Sequence, residues 1–131
     1  MTNNTLPEGS YLACHYRDAN RGEATWSVYF EDGRVEFFDG QDWSLVCRFT
    51  EAQVRQAKDA VRESGLREAA DLTAEDVYDT AAVTYAWSLD DERGSVTNWV
   101  YPAYIHPAFD ALEIALDTLE TEAGAEWATV E

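Results

Sequence analysis

Hydrophobic and polar residues alternate along most of the first half of the chain, a pattern typical of half-buried β-strands. The strands that this alternation predicts are Ser10–Asp18, Ala24–Phe30, 34–38 and 43–49. The last of them shows it most clearly, with Trp43, Leu45 and Cys47 at every second position. Gly33 and Gly40 fall between strands, where a positive φ angle closes a tight turn. The first half therefore predicts a four-stranded antiparallel meander.

One face of the second predicted strand carries larger apolar side chains than the other. Trp26, Val28 and Phe30 share this face, and we expect it to be the buried one. Val35 and Phe37 of the following strand are expected to continue it across the hairpin. The sequence thus predicts which side of the sheet faces the core.

A helix is predicted to begin at Thr50, because Thr50 and Gln53 have the spacing of a capping box. Gly65 stands where a left-handed glycine ends many helices. The outer positions of this segment alternate between acidic and basic residues, as is typical of a solvated helix face. The positions expected to be buried are Val54, Ala57 and Val61, with Leu66 just past the end.

Two further strands and a second helix complete the pattern. The strands are predicted over Ala81–Leu89 and 95–101, with residues 90–94 as the turn between them. Pro107 suits the first position of the last helix, which we expect over 106–121. The core-facing side of that helix is expected to consist of Ile105, Ala108, Phe109, Leu112, Ala115, Leu116 and Leu119.

The order β-β-β-β-α-β-β-α predicts an α+β fold, with a mainly antiparallel sheet of about six strands and two helices packed on one face. Residues 10–123 are expected to form this single domain, between a flexible lead-in at 1–9 and an acidic tail at 124–131. The aromatic residues expected on the helix-free face are Tyr29, Phe38, Trp99 and Tyr101. This order of elements is similar to that of small bacterial inhibitor domains such as the emfourin protease inhibitors; the resemblance covers architecture alone.

Charge narrows the classes of partner. The chain of 131 residues has 26 acidic and nine basic residues, giving a formal net charge of −17. Direct binding to nucleic acid or to an anionic membrane surface is disfavoured, because neutralising phosphates requires Lys and Arg. A basic protein, such as a nucleic-acid-binding enzyme or a toxin, is the favoured partner. No signal-peptide pattern opens the chain, so we expect a cytoplasmic protein.

Motifs for catalysis, metal binding and phosphate binding are absent from the sequence. No GxSxG, zinc-ligand spacing, calcium loop or glycine-rich phosphate loop occurs. Cys14 and Cys47 form no CxxC pair and are expected to be free thiols. His15 is expected on a partly exposed strand face, and His106 at a helix N-terminus in a structural role. We therefore expect no enzyme activity, no cofactor and no metal site.

Four acidic residues form a second stripe along the last predicted helix: Asp110, Glu113, Asp117 and Glu120. Residues 94–131 contain no Lys or Arg to balance them. Like charges three and four positions apart cost about 0.2–0.5 kcal/mol per pair, so a helix selected only for stability would be expected to include Lys. The stripe is therefore the strongest candidate for a binding surface.

These features predict a non-enzymatic acidic binding protein that blocks a basic protein surface by electrostatic complementarity. Carboxylates along a rigid helix can imitate phosphates, as in a nucleic-acid mimic, or can cap a basic toxin, as in an immunity-type inhibitor. One alternative is a structural or self-associating domain whose acidity serves only solubility, as in halophiles, and a homodimer stays open. A small ligand-binding or hydrolytic domain is a further alternative.

Overall fold

The computed structural model describes residues 6–18, 24–73, 81–101 and 104–125. It consists of one six-stranded antiparallel sheet and two α-helices, so the predicted α+β class and order of elements are confirmed. The strands are β1 (Ser10–Asp18), β2 (Ala24–Phe30), β3 (Arg34–Phe38), β4 (Trp43–Arg48), β5 (Ala81–Leu89) and β6 (Glu92–Tyr101), and the helices are α1 (Glu51–Ser64) and α2 (Pro107–Glu122). Residues 1–5 of the expected lead-in and 126–131 of the expected tail lie outside the described residues.

The first strand lies inside the sheet, whose order is β4-β3-β2-β1-β5-β6. The meander β1 to β4 extends on one side of it, and the hairpin β5–β6 joins on the other. Both helices pack against the same face, where their apolar stripes and the sheet form the main hydrophobic core. We call this the covered face and the opposite side the open face. Among the described residues, both α-helices lie on the covered face and no helix lies on the open face.

The capping box predicted for α1 is present. The backbone N–H of Gln53 donates to Thr50 Oγ1 at 3.1 Å, and the N–H of Thr50 donates to Gln53 Oε1 at 2.9 Å. At the other end, Gly65 adopts a left-handed conformation with φ of 84°. The buried positions Val54, Ala57 and Val61 are also as predicted. Local sequence signals therefore determine where this helix begins and ends.

Replacing the capping threonine should destabilise the protein measurably. We expect Thr50→Ala to lower the free energy of unfolding by about 1 kcal/mol, because the N–H of Gln53 loses its acceptor. Chemical denaturation would measure this change. Thr50→Ser keeps the hydroxyl and is the control; a Ser variant as unstable as the Ala variant would show that the cap contributes nothing.

The β5–β6 hairpin is tighter than predicted. Its turn is only Asp90 and Asp91, with φ of 54° and 62°, and β6 already begins at Glu92 rather than after residue 94. Aspartate tolerates the left-handed region better than most residues. In addition, Arg62 of α1 donates two hydrogen bonds to the Asp90 carboxylate, at 2.8 and 2.9 Å. An ion pair with α1 therefore stabilises this turn. Composition alone predicted a turn three residues longer.

The side of β2 predicted to face the core is reversed. Tyr29, expected on the helix-free side, lies in the main core on the covered face, opposite Val35 of β3. Tyr101, also expected there, packs against the same core. Alternation reveals two faces of a strand, but when both carry large side chains it does not reveal which one the helices cover. Phe38 lies on the helix-free side as predicted, in register with Trp26, and Trp99 is 45% exposed.

The other side of β2 belongs to the open face. Val28 and Phe30, which were expected in the main core, form a small second cluster with Ala13. Leu6, from the segment before β1, packs against this cluster together with Trp26. The segment before β1 thus covers part of the open face.

The connection after α1, residues 67–73, is more ordered than a polar loop. Leu72 forms a short parallel bridge to the outer edge of β6, where its N–H donates to Thr97 O at 3.0 Å and its carbonyl accepts from Trp99 N–H at 2.9 Å. This bridge covers one edge of the sheet. None of the helices in the described residues is long and apolar enough to cross a membrane.

Candidate partner-binding site on the last helix

A histidine caps the N-terminus of α2. His106 is the N-cap residue, and its Nδ1 accepts a hydrogen bond from the N–H of Ala108 at 3.2 Å. Its Nε2 lies 2.9 Å from the carbonyl oxygen of Ala70, so the neutral tautomer with the proton on Nε2 satisfies both contacts. The ring also stacks on Phe109, with centroids 4.7 Å apart. The predicted structural role of His106 is confirmed, and Pro107 follows it as the first helical residue.

The apolar stripe of α2 faces the core, except at its first predicted member. The buried residues are Ala108, Phe109, Leu112, Leu116 and Leu119, whereas Ala115 is half-buried. Ile105, predicted to belong to the stripe, is 53% exposed. Ile105 precedes the N-cap residue. It therefore lies outside the helix, and its direction does not follow the helical periodicity of the stripe. Ile114 is 63% exposed on the surface of the helix.

The acidic stripe divides into an exposed and a buried part. Asp110, Glu113 and Asp117 are exposed, and none of them makes an ion pair with another described residue. Glu120 is only 7% exposed, which corrects the expectation that all four carboxylates are displayed on the surface. The three exposed residues occupy about 10 Å of helix axis. Without the buried Glu120, three exposed carboxylates therefore still form a row of unbalanced negative charge.

Some of the acidic residues around α1, in contrast, are paired with bases. Arg62 contacts Asp59 at 2.7 Å in the same helix and Asp90 in the β5–β6 turn. Lys58 forms an ion pair with Glu31 at the end of β2. Around α1, bases thus neutralise part of the acidic charge, whereas no ion pair does so in the described part of α2.

Glu120 forms a buried pair with a tyrosine of the sheet. Tyr29 Oη donates a hydrogen bond to Glu120 Oε2. Burial, the largest cause, raises the pKa of Glu120 to about 7 together with the charges of Asp117 and Glu113, although the hydrogen bond from Tyr29 lowers it. Burial and the Glu120 charge raise the pKa of Tyr29 well above its usual value. Near neutral pH, Glu120 therefore exchanges between its neutral and charged forms.

A second tyrosine, on the far side of β1 from Tyr29, also contacts the acidic stripe. Tyr85 Oη on β5 donates a hydrogen bond to Glu113 Oε1 at 3.3 Å. Desolvation raises the pKa of Glu113 above its usual value, and the charge of Asp110 adds to the shift. The Glu113 side chain is thus exposed at the surface, while its Oε1 contacts Tyr85 of the sheet. Two Tyr–Glu pairs connect α2 to two strands of the covered face.

Between these two pairs lies an open cavity of about 430 Å³. It is lined by Tyr29, Tyr85, Asp110, Glu113, Ile114, Leu116, Asp117 and Glu120. The carboxylate oxygens accept hydrogen bonds, and the apolar residues can contact an alkyl chain. Such a lining matches the side chain of Lys or Arg, which combines a methylene stem with a cationic head.

The thiols near the sheet have little nucleophilic character. Both cysteines are free, as predicted. Burial raises the pKa of Cys14 to about 12 and that of Cys47 to about 11. A thiol must lose its proton before it can attack, so both are protonated at neutral pH.

His15 stacks on Trp26, with ring centroids 4.2 Å apart, on the open face. Burial lowers its pKa, and the charge of Arg17 lowers it further. Among the described residues, no group of three or more potential metal ligands comes together.

Sequence reasoning did not identify the two tyrosines of the site. Tyr29 was expected on the helix-free side, and Tyr85 is one of several large side chains in its strand. Their positions on β2 and β5, flanking central β1, bring them beneath the same helix. No local sequence pattern indicates that Tyr29 and Tyr85 lie close to the same helix. Comparison with protein-family models and with curated proteins gives no significant match.

Proposed function

We propose that this chain is a non-enzymatic acidic binding protein that inhibits a basic partner by occupying its positively charged surface. The observation that carries the proposal is the row Asp110, Glu113 and Asp117, exposed on α2 without an ion pair among the described residues. The partner class is a basic protein, either a nucleic-acid-binding enzyme whose groove normally holds phosphates or a basic toxin. Complementary charge of this kind accelerates association and selects the partner.

The cavity beside the row adds a specific contact to this general attraction. A Lys or Arg side chain of the partner would place its stem against Ile114 and its cationic head between Glu113 and Glu120, which line the same cavity. An arriving cation favours the charged form of Glu120, whose pKa lies near 7. Binding would thus be coupled to release of a proton from Glu120.

Rigidity supports the same function. The helix that carries the row is fixed at its N-terminus by His106 and along its length by Phe109, Leu112 and Leu116, all buried. Charges held on a packed helix lose less conformational entropy on binding than charges on a loose tail. An inhibitor that presents a preformed row therefore needs less reorganisation to match a basic groove.

Binding of an oligo-arginine peptide tests the proposal, with fluorescence anisotropy as the measurement at low and physiological salt. Neutralising the row in Asp110→Asn/Glu113→Gln/Asp117→Asn should weaken binding about tenfold, as expected for three exposed charges of about 0.5 kcal/mol each. The matched control, Glu51→Gln/Glu63→Gln/Glu68→Gln, removes three exposed charges around α1 and should change affinity much less. An equal loss in both variants would contradict the proposal and support acidity that serves only solubility.

A further inference from the structure

The cavity beside α2 has two polar ends, each formed by one Tyr–Glu pair. Tyr29 and Glu120 form one end, and the second pair, Tyr85 with Glu113, forms the other. The two tyrosines lie on β2 and β5, which flank β1, so they are two strand spacings or about 10 Å apart across the sheet. The two glutamates are separated by about 10.5 Å along the helix axis. The sheet and the helix therefore give nearly the same distance between the two ends.

Both ends of the cavity offer hydrogen-bond acceptors to a ligand. Each tyrosine hydroxyl donates its one hydrogen to its glutamate, so only its lone pairs remain for a ligand. Ionised carboxylates are acceptors as well, and the described residues that line the cavity include no Lys, Arg or His. A ligand must therefore supply donors at both ends. Ammonium groups do so, because each carries three N–H donors and no acceptor.

The surface between the two ends is partly apolar. Ile114, which is 63% exposed, and the buried Leu116 line the cavity between the levels of Glu113 and Glu120. Asp117 also lies there, about 6 Å along the axis from Glu113 and about 4.5 Å from Glu120. Three carboxylates thus alternate with apolar contact area. A matching ligand is a chain of methylenes that carries three cationic groups.

This spread of carboxylates favours an elongated cation over a metal ion. A divalent ion needs several oxygen ligands within about 2.0–2.6 Å of its centre. In the part of the chain that the structure describes, no three potential metal ligands come together. The cavity of about 430 Å³ lies within the size range of small-molecule pockets, about 300–1,000 Å³. It therefore has room for a linear amine lying along the helix.

We propose that this cavity binds a linear aliphatic polyamine whose terminal ammonium groups contact the two Tyr–Glu pairs. An extended chain advances about 1.2 Å per bond, since the three backbone bonds of one residue span about 3.6 Å. In a triamine with arms of four and three methylenes, neighbouring nitrogens are therefore about 6 and 5 Å apart. Glu113, Asp117 and Glu120 have nearly the same spacing along α2, about 6 and 4.5 Å. The triamine matches both the length of the cavity and the order of its charges.

This inference uses the same cavity as the proposed function but does not depend on a basic protein partner. A bound polyamine would occupy the place of the partner's Lys or Arg side chain, so the two ligands would compete. A chain that binds the triamine but not the oligo-arginine peptide would support this inference and contradict the proposed function. The reverse result would contradict this inference alone.

Isothermal titration calorimetry of the full chain with spermidine, a triamine with these two arms, tests the proposal at about 0.15 M salt. The matched ligand is hexaamminecobalt(III), a compact cation that has the same charge and N–H donors but no alkyl chain. We expect it to bind at least about tenfold more weakly than spermidine, because it reaches only one end of the cavity. Equal binding of the two cations would overturn the proposal, since the attraction would then depend on charge alone.

Variants of two cavity residues test where the ligand lies. Glu120→Gln should weaken spermidine binding about tenfold, because one terminal ammonium loses its buried counter-charge. Asp117→Asn, at an exposed position, should weaken it about threefold. The matched control is Glu122→Gln, which removes an exposed charge of α2 outside the cavity lining and should change affinity by less than about twofold. A wild type that does not bind spermidine, or equal losses in Glu120→Gln and Glu122→Gln, would also overturn the proposal.

Discussion

Glu120→Gln should stabilise the protein at pH 8 by about 3 kcal/mol and have almost no effect near pH 4. The pKa of Glu120 is raised from its ordinary value of 4.5 to about 7 in the folded chain, mainly by burial. The folded state therefore binds the proton more tightly than the unfolded state. This contribution to stability is fully present below pH 4.5 and is lost as the pH rises through 7. Glutamine stays neutral and can still accept the hydrogen bond from Tyr29.

Denaturant unfolding at intervals from pH 4 to pH 8 would measure the difference between the variant and the wild type. Glu122→Gln is the matched control, because it removes one exposed charge from the same helix. We expect the control to change stability by no more than about 0.5 kcal/mol at any of these pH values. A Glu120→Gln difference that does not grow between pH 4.5 and 7 would show that Glu120 has an ordinary pKa.

Gly33→Ala should destabilise the fold by about 3 kcal/mol or more. Gly33 has φ of 97°, and a Cβ atom on it would lie 2.3 Å from the carbonyl oxygen of Phe49. Its own carbonyl accepts a hydrogen bond from the N–H of Phe49 at 2.7 Å. The turn between β2 and β3 is thus in direct backbone contact with the end of β4. An added methyl group must displace backbone rather than a flexible side chain.

Gly65→Ala is the control for the conformational part of this effect. Gly65 has a similar φ of 84°, but nothing lies within 4 Å of the position of its Cβ. We expect it to cost about 1–2 kcal/mol, the usual penalty for a left-handed alanine. Thermal and chemical unfolding would compare the two variants. Equal losses would mean that the contact with Phe49 relaxes without cost.

The accuracy of the sequence predictions depends on how local each signal is. The capping box at Thr50 and the proline at 107 act within one helical turn, and the structure has both helices beginning there. Strand alternation also acts locally, so the six strands were predicted. The β5–β6 turn was predicted too long because Arg62, 28 positions away in the chain, holds Asp90. That contact exists only after α1 has packed beside the hairpin.

Local helical periodicity predicted only part of the candidate site. The stripe Asp110, Glu113 and Asp117 follows from helical periodicity, and these residues are exposed as expected. Glu120 has the same periodicity but is buried against Tyr29. Periodicity gives the angle of a side chain around the helix axis, whereas burial depends on what lies beneath each turn. The sheet reaches Glu120 because β2 lies under that end of α2.

The sequence by itself determined the class of fold, the start of each helix and an excess of negative charge without basic neighbours on the last helix. These properties depend on interactions between residues only a few positions apart. Only the tertiary structure decided which face of β2 the helices cover and brought Tyr29 and Tyr85 to the acidic stripe. It also aligned His15, Trp26, Phe38 and Trp43 across four adjacent strands. Each of these depends on strand register, which joins residues that lie far apart in the chain.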